Sequence, residues 1–179
     1  MKSRTSIPDP LVIGTLVAGQ GAVGLTICPG KQGDSFFGRP WARDLEADLD
    51  VIQEWGAAAV VTLVESHELT MLGVPDLGER IEARGMQWHH LPIVDLDAPG
   101  LDFEVAWRQV AAQLCQLLRD GNRILVHCRG GRGRTGTVAA VMLMELGATP
   151  TKPSNRFVPS SPPRSKTPPK SVTCWATSR

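Results

Sequence analysis

The chain has 179 residues, 42% of them hydrophobic, and its 19 lysines and arginines nearly balance its 18 aspartates and glutamates. This length fits one domain with a sizeable core rather than two domains of ordinary size. The balanced charge excludes a global field that would recruit nucleic acid or a membrane surface, so any attraction for an anion is expected to be local.

Targeting and redox signals favour the cytoplasm. The charged first residues, MKSR, lead towards Pro8 and Pro10 rather than into an apolar segment, which does not fit a signal peptide. No stretch has the length and apolar character of a membrane span. The four cysteines lie far apart, without metal-ligand spacing. We therefore expect a cytoplasmic chain with reduced thiols, no bound metal and no cofactor; nothing in the pattern indicates an oligomeric state.

Apolar runs and helical periodicities alternate along the chain. Runs of apolar residues, several ending near glycine or proline, predict strands at 11–16, 24–28, 57–64, 86–94 and 124–126. Apolar residues at helical spacing predict helices at 41–52, 66–71, 76–84, 103–118 and 135–146. Strands that alternate with helices predict an α/β domain with helices on both faces of its sheet.

The composition divides the chain into three parts. Residues 1–10 form an N-terminal extension, and residues 11–148 carry the alternating pattern of a folded domain. From about Thr149 onward, proline, serine, lysine and threonine dominate, and the apolar periodicity ends. Residues 149–179 are therefore predicted to be an irregular or disordered tail.

The loop before the last predicted helix has the composition of an anion cradle. Its three glycines let the backbone curl so that successive N–H groups point inward, and the following helix adds its positive N-terminal end. The arginine at the end of the loop offers parallel N–H donors to two phosphate oxygens, which a lysine cannot do. The predicted phosphate-binding residues are Arg129, Gly130, Gly131, Arg132, Gly133 and Arg134.

Cys128 immediately precedes this loop and is the predicted nucleophile. The N–H groups and Arg134 favour its thiolate, and comparable surroundings lower a cysteine pKa from about 8.5 to roughly 3.5–7.5. His127 is expected to hold the loop by hydrogen bonds rather than to act as a base, because an ionised thiolate needs none. Thr135 is expected to donate its hydroxyl to the sulfur when the sulfur becomes the leaving group.

Residues 127–135 read His-Cys-x-x-Gly-x-x-Arg-Thr, which resembles the signature of the protein tyrosine phosphatase superfamily. The upstream segments GVPDL at 73–77 and HHLPIVD at 89–95 are similar to those of kinase-associated phosphatases, in the dual-specificity group. The resemblance covers about residues 11–147. It implies a phosphatase domain with a central mixed, largely parallel sheet of four to five strands flanked by helices, a phosphocysteine intermediate and no metal.

The resemblance also implies a general acid on a separate loop, because an alkoxide or phenolate leaves poorly unless it is protonated. Asp95 matches by its place in the His-x-Pro-Ile-x-Asp pattern, just beyond a predicted strand. Asp97 is the second candidate. Either aspartate could instead form an Asx turn, which is common near proline and glycine.

Three functions from different classes fit this sequence. The first is a phosphatase that acts on phosphotyrosine, and also on phosphoserine or phosphothreonine, in proteins. The second is a phosphoinositide or inositol phosphate phosphatase, because Arg129 and Arg132 give the loop two extra cations, as in the loop of the phosphatase and tensin homologue that it resembles. The third is a phosphate-binding module with weak or no turnover, caused by a truncated C-terminal end.

The tail raises the hypothesis of a lost reading frame. The resembling family continues after the signature helix with two more helices, and no matching sequence follows Thr149 here. Shifted codons with permitted third bases can encode a family-like ending, so we predict that the last helices are missing from the fold because 149–179 is out of frame. An ordinary disordered tail is the alternative, and sequencing the gene distinguishes the two.

Overall fold

The computed structural model describes residues 2–35 and 38–148, together with the backbone of residues 158–159. Its strands are β1 Gly14–Ala18, β2 Gly21–Ile27, β3 Gln32–Gly33, β4 Trp41–Ala42, β5 Ala57–Thr62, β6 Gln87–His90, β7 Arg123–Cys128 and β8 Val158–Pro159. Its helices are α1 Leu45–Trp55, α2 Ser66–Met71, α3 Leu77–Ala83, α4 Leu101–Arg119 and α5 Gly133–Glu145.

One mixed sheet organises the domain, in the order β6-β5-β7-β2-β1-β8. The four strands β6, β5, β7 and β2 run parallel, and β1 joins β2 as an antiparallel neighbour. The central strands are apolar and buried on both faces, as expected for parallel strands covered by helices. The predicted fold class, a largely parallel mixed sheet flanked by helices, is confirmed.

The prediction that the first helix includes Trp41 is wrong. The helix begins at Leu45, because the Asp44 side chain caps it by accepting a hydrogen bond from the Ala47 N–H at 3.0 Å. Trp41 lies instead in β4, opposite Gly33. The centre of its ring there lies 4.6 Å from the Arg4 guanidinium carbon and 4.9 Å from the Lys31 ammonium nitrogen.

The strand predicted at 86–94 is shorter in the structure and ends at His90. Pro92 has no N–H and cannot continue the ladder. The segment nevertheless stays beside β5, because the Leu91 and Ile93 N–H groups donate to the carbonyls of Thr62 and Leu63 at 2.9 and 3.0 Å. These bonds fix where the following loop, with both candidate acids, leaves the sheet.

The sheet topology places the candidate chemistry at one edge. Parallel strands end on the same side of a sheet, so the segments that follow β2, β5, β6 and β7 come together there. The predicted tail at 149–179 falls outside the described residues except for β8, which pairs with β1, and both the tail and its reading-frame explanation stay predictions. No helix in the described part of the chain is both long and apolar enough to cross a bilayer.

Candidate active site

The loop between β7 and α5 is built around a glycine that no other residue could replace without movement. Gly131 has a φ of +68°, in the left-handed region, and a Cβ there would lie 2.6 Å from the carbonyl carbon and oxygen of Thr26. The loop is therefore seated directly on the end of β2. This close approach turns the Gly131 N–H towards the sulfur of Cys128, to which it donates at 3.2 Å.

Cys128 ends β7 and is only 4% exposed. Burial alone would raise the pKa of its thiol. Hydrogen bonds from the Thr135 hydroxyl and from the N–H groups of Thr135, Gly130 and Gly131 outweigh burial and lower the pKa below the ordinary value of 9.0. Apart from the Cys128 sulfur, the buried Thr135 oxygen has no hydrogen-bond partner among the described residues, so its proton is available to Cys128.

The other described cysteines have the opposite character. Burial raises the pKa of Cys28 to about 12, and burial also raises the pKa of Cys115. All three thiols are free in this structure. Within the described residues, Cys128 is therefore the cysteine whose surroundings favour the thiolate form.

Arg134 is held by a glutamate that the sequence pattern does not reveal. Its Nη1 donates to Glu68 Oε2 at 2.6 Å and its Nη2 to Glu68 Oε1 at 2.9 Å, a bidentate pair with side chains only 4% and 5% exposed. Nη1 also donates to the Ile93 carbonyl at 2.9 Å. These contacts fix the guanidinium plane beside the loop.

The N–H groups of Arg134 that do not bind Glu68 or Ile93 determine how this side chain could bind an anion. A guanidinium has five N–H groups, and in the described part of the chain Nε donates no hydrogen bond. Asp95 Oδ1 lies 3.0 Å from Nη2 as an ion-pair partner. An anion that displaced Asp95 could use the Nε and Nη2 protons together, which is the fork geometry of phosphate recognition.

Glu68 owes its position to the helix that carries it. It is the third residue of α2, where its Oε2 accepts from the Glu65 N–H at 2.9 Å in a capping box. Burial opposes ionisation of its carboxyl, but the hydrogen bonds from Arg134 and Glu65 outweigh it and lower the pKa. The capping pattern could have marked Glu68 as a helix start, but only the fold brings it to Arg134, 66 positions away.

The two candidate acids occupy different positions on their loop. Asp95 is about half exposed and reaches Arg134, as described above. Asp97 is exposed, and its Oδ1 accepts from the N–H of Ala98 at 2.8 Å, a local turn contact. Between them, Leu96 has a φ of 62° and is fully exposed, so the chain bends sharply there. The structure thus brings Asp95, and not Asp97, to Arg134.

His127 lies behind the loop and is fully buried. Its Nε2 is 2.8 Å from the Thr62 hydroxyl, and the Trp88 indole N–H donates to that same hydroxyl at 2.9 Å. Because Trp88 can only donate, the Thr62 oxygen accepts from its indole N–H, and the Thr62 hydroxyl links Trp88 to His127. Burial lowers the pKa of His127 to about 3, so the ring is neutral near neutral pH, and its loop-supporting role stays a prediction.

The other predicted loop residues line the rim. Arg132 and Gly133 are exposed where α5 begins, and Arg129 is half-buried. Arg129 also lines a groove of about 230 Å³ whose walls include Gln32, Ser35, Glu68 and Leu72. In the described ranges no cluster of histidine, cysteine or carboxylate side chains could hold a metal ion.

Comparison with known proteins identifies the class. The family model described as "PTP-SAK: Swiss Army Knife protein, DSP-PTPase phosphatase domain" matches residues 42–174. The chain therefore belongs to this family of dual-specificity, protein tyrosine phosphatase domains. The class that the motif at 127–135 predicts is confirmed.

Curated relatives point within that class to kinase-associated phosphatase. Cyclin-dependent kinase inhibitor 3 of Rattus norvegicus is 31% identical over 104 residues, which are 58% of this chain and 48% of that protein. The Homo sapiens protein of the same name is 28% identical over 107 residues, 60% of this chain and 49% of its own. The chain spans about half the length of these curated relatives.

Solved structures agree with the fold. Kinase associated phosphatase, in a form whose catalytic-site cysteine was replaced by serine, superposes with a TM-score of 0.64 at 26% identity, covering 76% of this chain and 74% of that one. A mutant form of Tk-PTP superposes with a TM-score of 0.51 at 28% identity, covering 73% and 70%. The similarity to kinase-associated phosphatase that the sequence indicates is confirmed.

Proposed function

We propose that this chain hydrolyses phosphomonoesters through a phosphocysteine intermediate on Cys128, with phosphotyrosine and other phosphorylated side chains of proteins as substrates. One observation carries the proposal. A thiol whose pKa is lowered lies in a cradle of N–H groups, next to an arginine that Glu68 holds in a fixed plane. The similar kinase associated phosphatase is described as having a catalytic-site cysteine.

In the proposed first step, the phosphate takes the place of the Asp95 carboxylate on Arg134. The Cys128 thiolate attacks phosphorus, the S–P bond forms, and the bond from phosphorus to the ester oxygen breaks. Asp95, in its protonated form, gives its proton to that departing oxygen. The loop N–H groups and Arg134 stabilise the charge that builds on the phosphoryl oxygens.

In the proposed second step, water attacks the phosphocysteine. The Asp95 carboxylate takes a proton from the water, the S–P bond breaks, and inorganic phosphate leaves while the thiolate is restored. The Thr135 hydroxyl stabilises the sulfur as it regains its negative charge, consistent with its buried and otherwise unpartnered oxygen. His127, neutral and bonded to Thr62, supports the loop and transfers no proton.

Turnover of a generic aryl phosphate by the full chain, with release of inorganic phosphate, tests the proposal. We expect hydrolysis without added metal and stronger hydrolysis of phosphotyrosine peptides. A chain that binds phosphate but hydrolyses no aryl phosphate would be the phosphate-binding module instead. The cytoplasmic location and phosphoprotein partners stay predictions.

Replacing Asp95 by asparagine is expected to slow turnover by about 10²-fold or more for substrates with poor leaving groups, because the leaving oxygen loses its proton donor. The fall in rate at alkaline pH should also disappear, since that limb reports loss of the acid's proton. Asp97→Asn is the matched control and should change the rate little. Reversed effects of the two variants would show that Asp97 is the acid.

Replacing Glu68 by glutamine is expected to lower the free energy of unfolding by about 3 kcal/mol at pH 7, because a buried charge loses its partner. The folded-state pKa of Glu68 is depressed from 4.5, so its contribution is complete above pH 4.5 and is lost as pH falls through the lower folded value. The difference between variant and parent should therefore shrink below pH 4.5 in denaturant titrations.

An exposed acid provides the control for this variant. Glu46→Gln breaks ion pairs with Arg80 and Arg84, but Glu46 is about half exposed, so a loss of only about 0–1 kcal/mol is expected. Turnover should fall at least tenfold in Glu68→Gln and stay close to that of the parent in Glu46→Gln. Equal stability of the two variants at pH 7 would contradict the role given to the buried pair.

The two additional loop arginines test the alternative substrate class. If Arg129 and Arg132 serve a ligand with several phosphates, changing both to alanine should reduce hydrolysis of inositol phosphates or phosphoinositides far more than that of a phosphotyrosine peptide. Arg108→Ala with Arg119→Ala, on α4, removes the same charge as a control. Equal losses on both substrates would indicate general electrostatics, and a parent without activity on inositol phosphates would remove the alternative.

A further inference from the structure

A buried lysine lies beside the phosphate-binding loop and has no part in the steps above. Lys31 follows β2 and is only 7% exposed. Its ammonium nitrogen donates a hydrogen bond to the backbone carbonyl of Arg129 at 3.0 Å and lies 4.9 Å from the centre of the Trp41 ring. Lysine is almost never fully buried unless it is paired, so this placement depends on those two contacts.

The hydrogen bond from Lys31 is made to a peptide group whose N–H also donates to the proposed nucleophile, Cys128. The described residues contain no cis peptide, so the Arg129 carbonyl and the Gly130 N–H lie in one plane and point in opposite directions. The Gly130 N–H is one of the donors that lower the pKa of Cys128. Lys31 therefore binds one end of a peptide dipole whose other end stabilises the thiolate.

On its Gly130 side, this peptide has no side chain that could pack and hold it in place. Gly130 is exposed, and a Cβ built on it would meet no atom within 4 Å. Gly131, by contrast, is pressed against the backbone of Thr26. A glycine in open space can adopt many backbone conformations, so the orientation of the Arg129–Gly130 peptide needs another restraint.

We propose that Lys31 is a positioning residue for the nucleophile: its ammonium keeps the Arg129 carbonyl turned away from the sulfur and the Gly130 N–H turned towards it. The inference rests on the proposed role of Cys128. The Trp41 ring also contacts the Lys31 ammonium, so a tryptophan of β4 acts on the loop through the lysine.

Several charged groups face the Lys31 ammonium. Burial and then the Arg129 guanidinium lower the pKa of Lys31; the thiols of Cys28 and Cys128 raise it, and Arg4 lowers it. The thiolate midpoint of Cys128 should therefore be measured from acidic pH upward, below the pKa of the Lys31 ammonium. Cys28, with a pKa of about 12, stays a thiol throughout this range.

The experiment measures the rate of iodoacetamide alkylation at Cys128 against pH, resolved by peptide mass so that other cysteines do not contribute. In Lys31→Met the midpoint is expected to rise by about one pH unit, a tenfold smaller thiolate fraction at acidic pH. Lys31→Arg keeps the charge and a donor and should stay close to the parent. Arg119→Met, at the far end of α4, removes the same charge elsewhere and should leave the midpoint unchanged.

Stability and rescue distinguish positioning from a purely structural role. If Lys31→Met does not fold, Lys31→Gln keeps a neutral donor and should still raise the midpoint, because a neutral bond is weaker than a charged one. An unchanged midpoint in the folded Lys31 variants would overturn the inference, as would an equal rise in Lys31→Arg. Alkylation needs no turnover, so an inactive parent with a low midpoint would contradict the proposed phosphatase activity and leave the role of Lys31 intact.

Discussion

Cys128→Ser is expected to reduce turnover by roughly 10⁴-fold or more, as the loss of a nucleophile does in other enzymes. A serine hydroxyl is not ionised by this cradle, so no S–P bond and no equivalent ester can form at a useful rate. Phosphate or tungstate binding should be largely retained, because the loop N–H groups and Arg134 remain. The measurement is aryl phosphate hydrolysis beside oxyanion titration of the same preparation.

The contrast between these two readouts is what makes the variant informative. A variant that lost both would show that Cys128 supports the loop structurally. Substantial hydrolysis by purified Cys128→Ser would contradict the mechanism, since no other described thiol has a lowered pKa. Cys115→Ser, on the buried face of α4, is the matched control and should keep its turnover per folded molecule.

Arg134→Lys is expected to lower turnover by roughly 10²–10³-fold, the order of effect found when one preorganised oxyanion donor is removed. Lysine keeps the positive charge, but it cannot pair with both oxygens of Glu68 and present two further parallel donors to a phosphate. The loss should appear in both kcat and the affinity for phosphate.

The activity of Arg134→Lys also tests whether the orientation that Glu68 gives the Arg134 guanidinium is needed for turnover. If charge alone were sufficient, Arg134→Lys would retain most of the activity, and the bidentate pair would have only a structural role. The expected order of activity is parent, then Glu68→Gln, then Arg134→Lys. Activity of Arg134→Lys near that of the parent would contradict the proposed clamp.

The sequence predicts this fold and part of this site because the relevant signals are local. Cys128, Arg134 and Thr135 lie within one short motif, and a strand, a glycine loop and a helix start follow from the pattern of the same segment. Asp95 is predicted from a motif just beyond a strand, and the structure brings it to 3.0 Å from Arg134. The apolar runs of β5 and β7 likewise identify the buried centre of the sheet.

The rest of the site depends on contacts between distant parts of the chain. Glu68 is 66 positions from Arg134, and Lys31 is 98 positions from Arg129, so no periodicity or spacing links them. Trp41 fits the helical spacing of α1 but lies in β4, because the cap at Asp44 sets the helix start. Local patterns predict the candidate reacting groups here, whereas the residues that contact and orient those groups become visible only in the fold.

Trapping the phosphocysteine intermediate is a direct test of the proposed mechanism. The full chain is mixed with an aryl phosphate, quenched in acid within the first turnovers, and digested for peptide mass analysis. The proposed mechanism predicts a phosphoryl group on the peptide that contains Cys128, and none on that peptide in Cys128→Ser. Turnover by the parent without any phosphoryl adduct on Cys128, unchanged in Cys128→Ser, would contradict it.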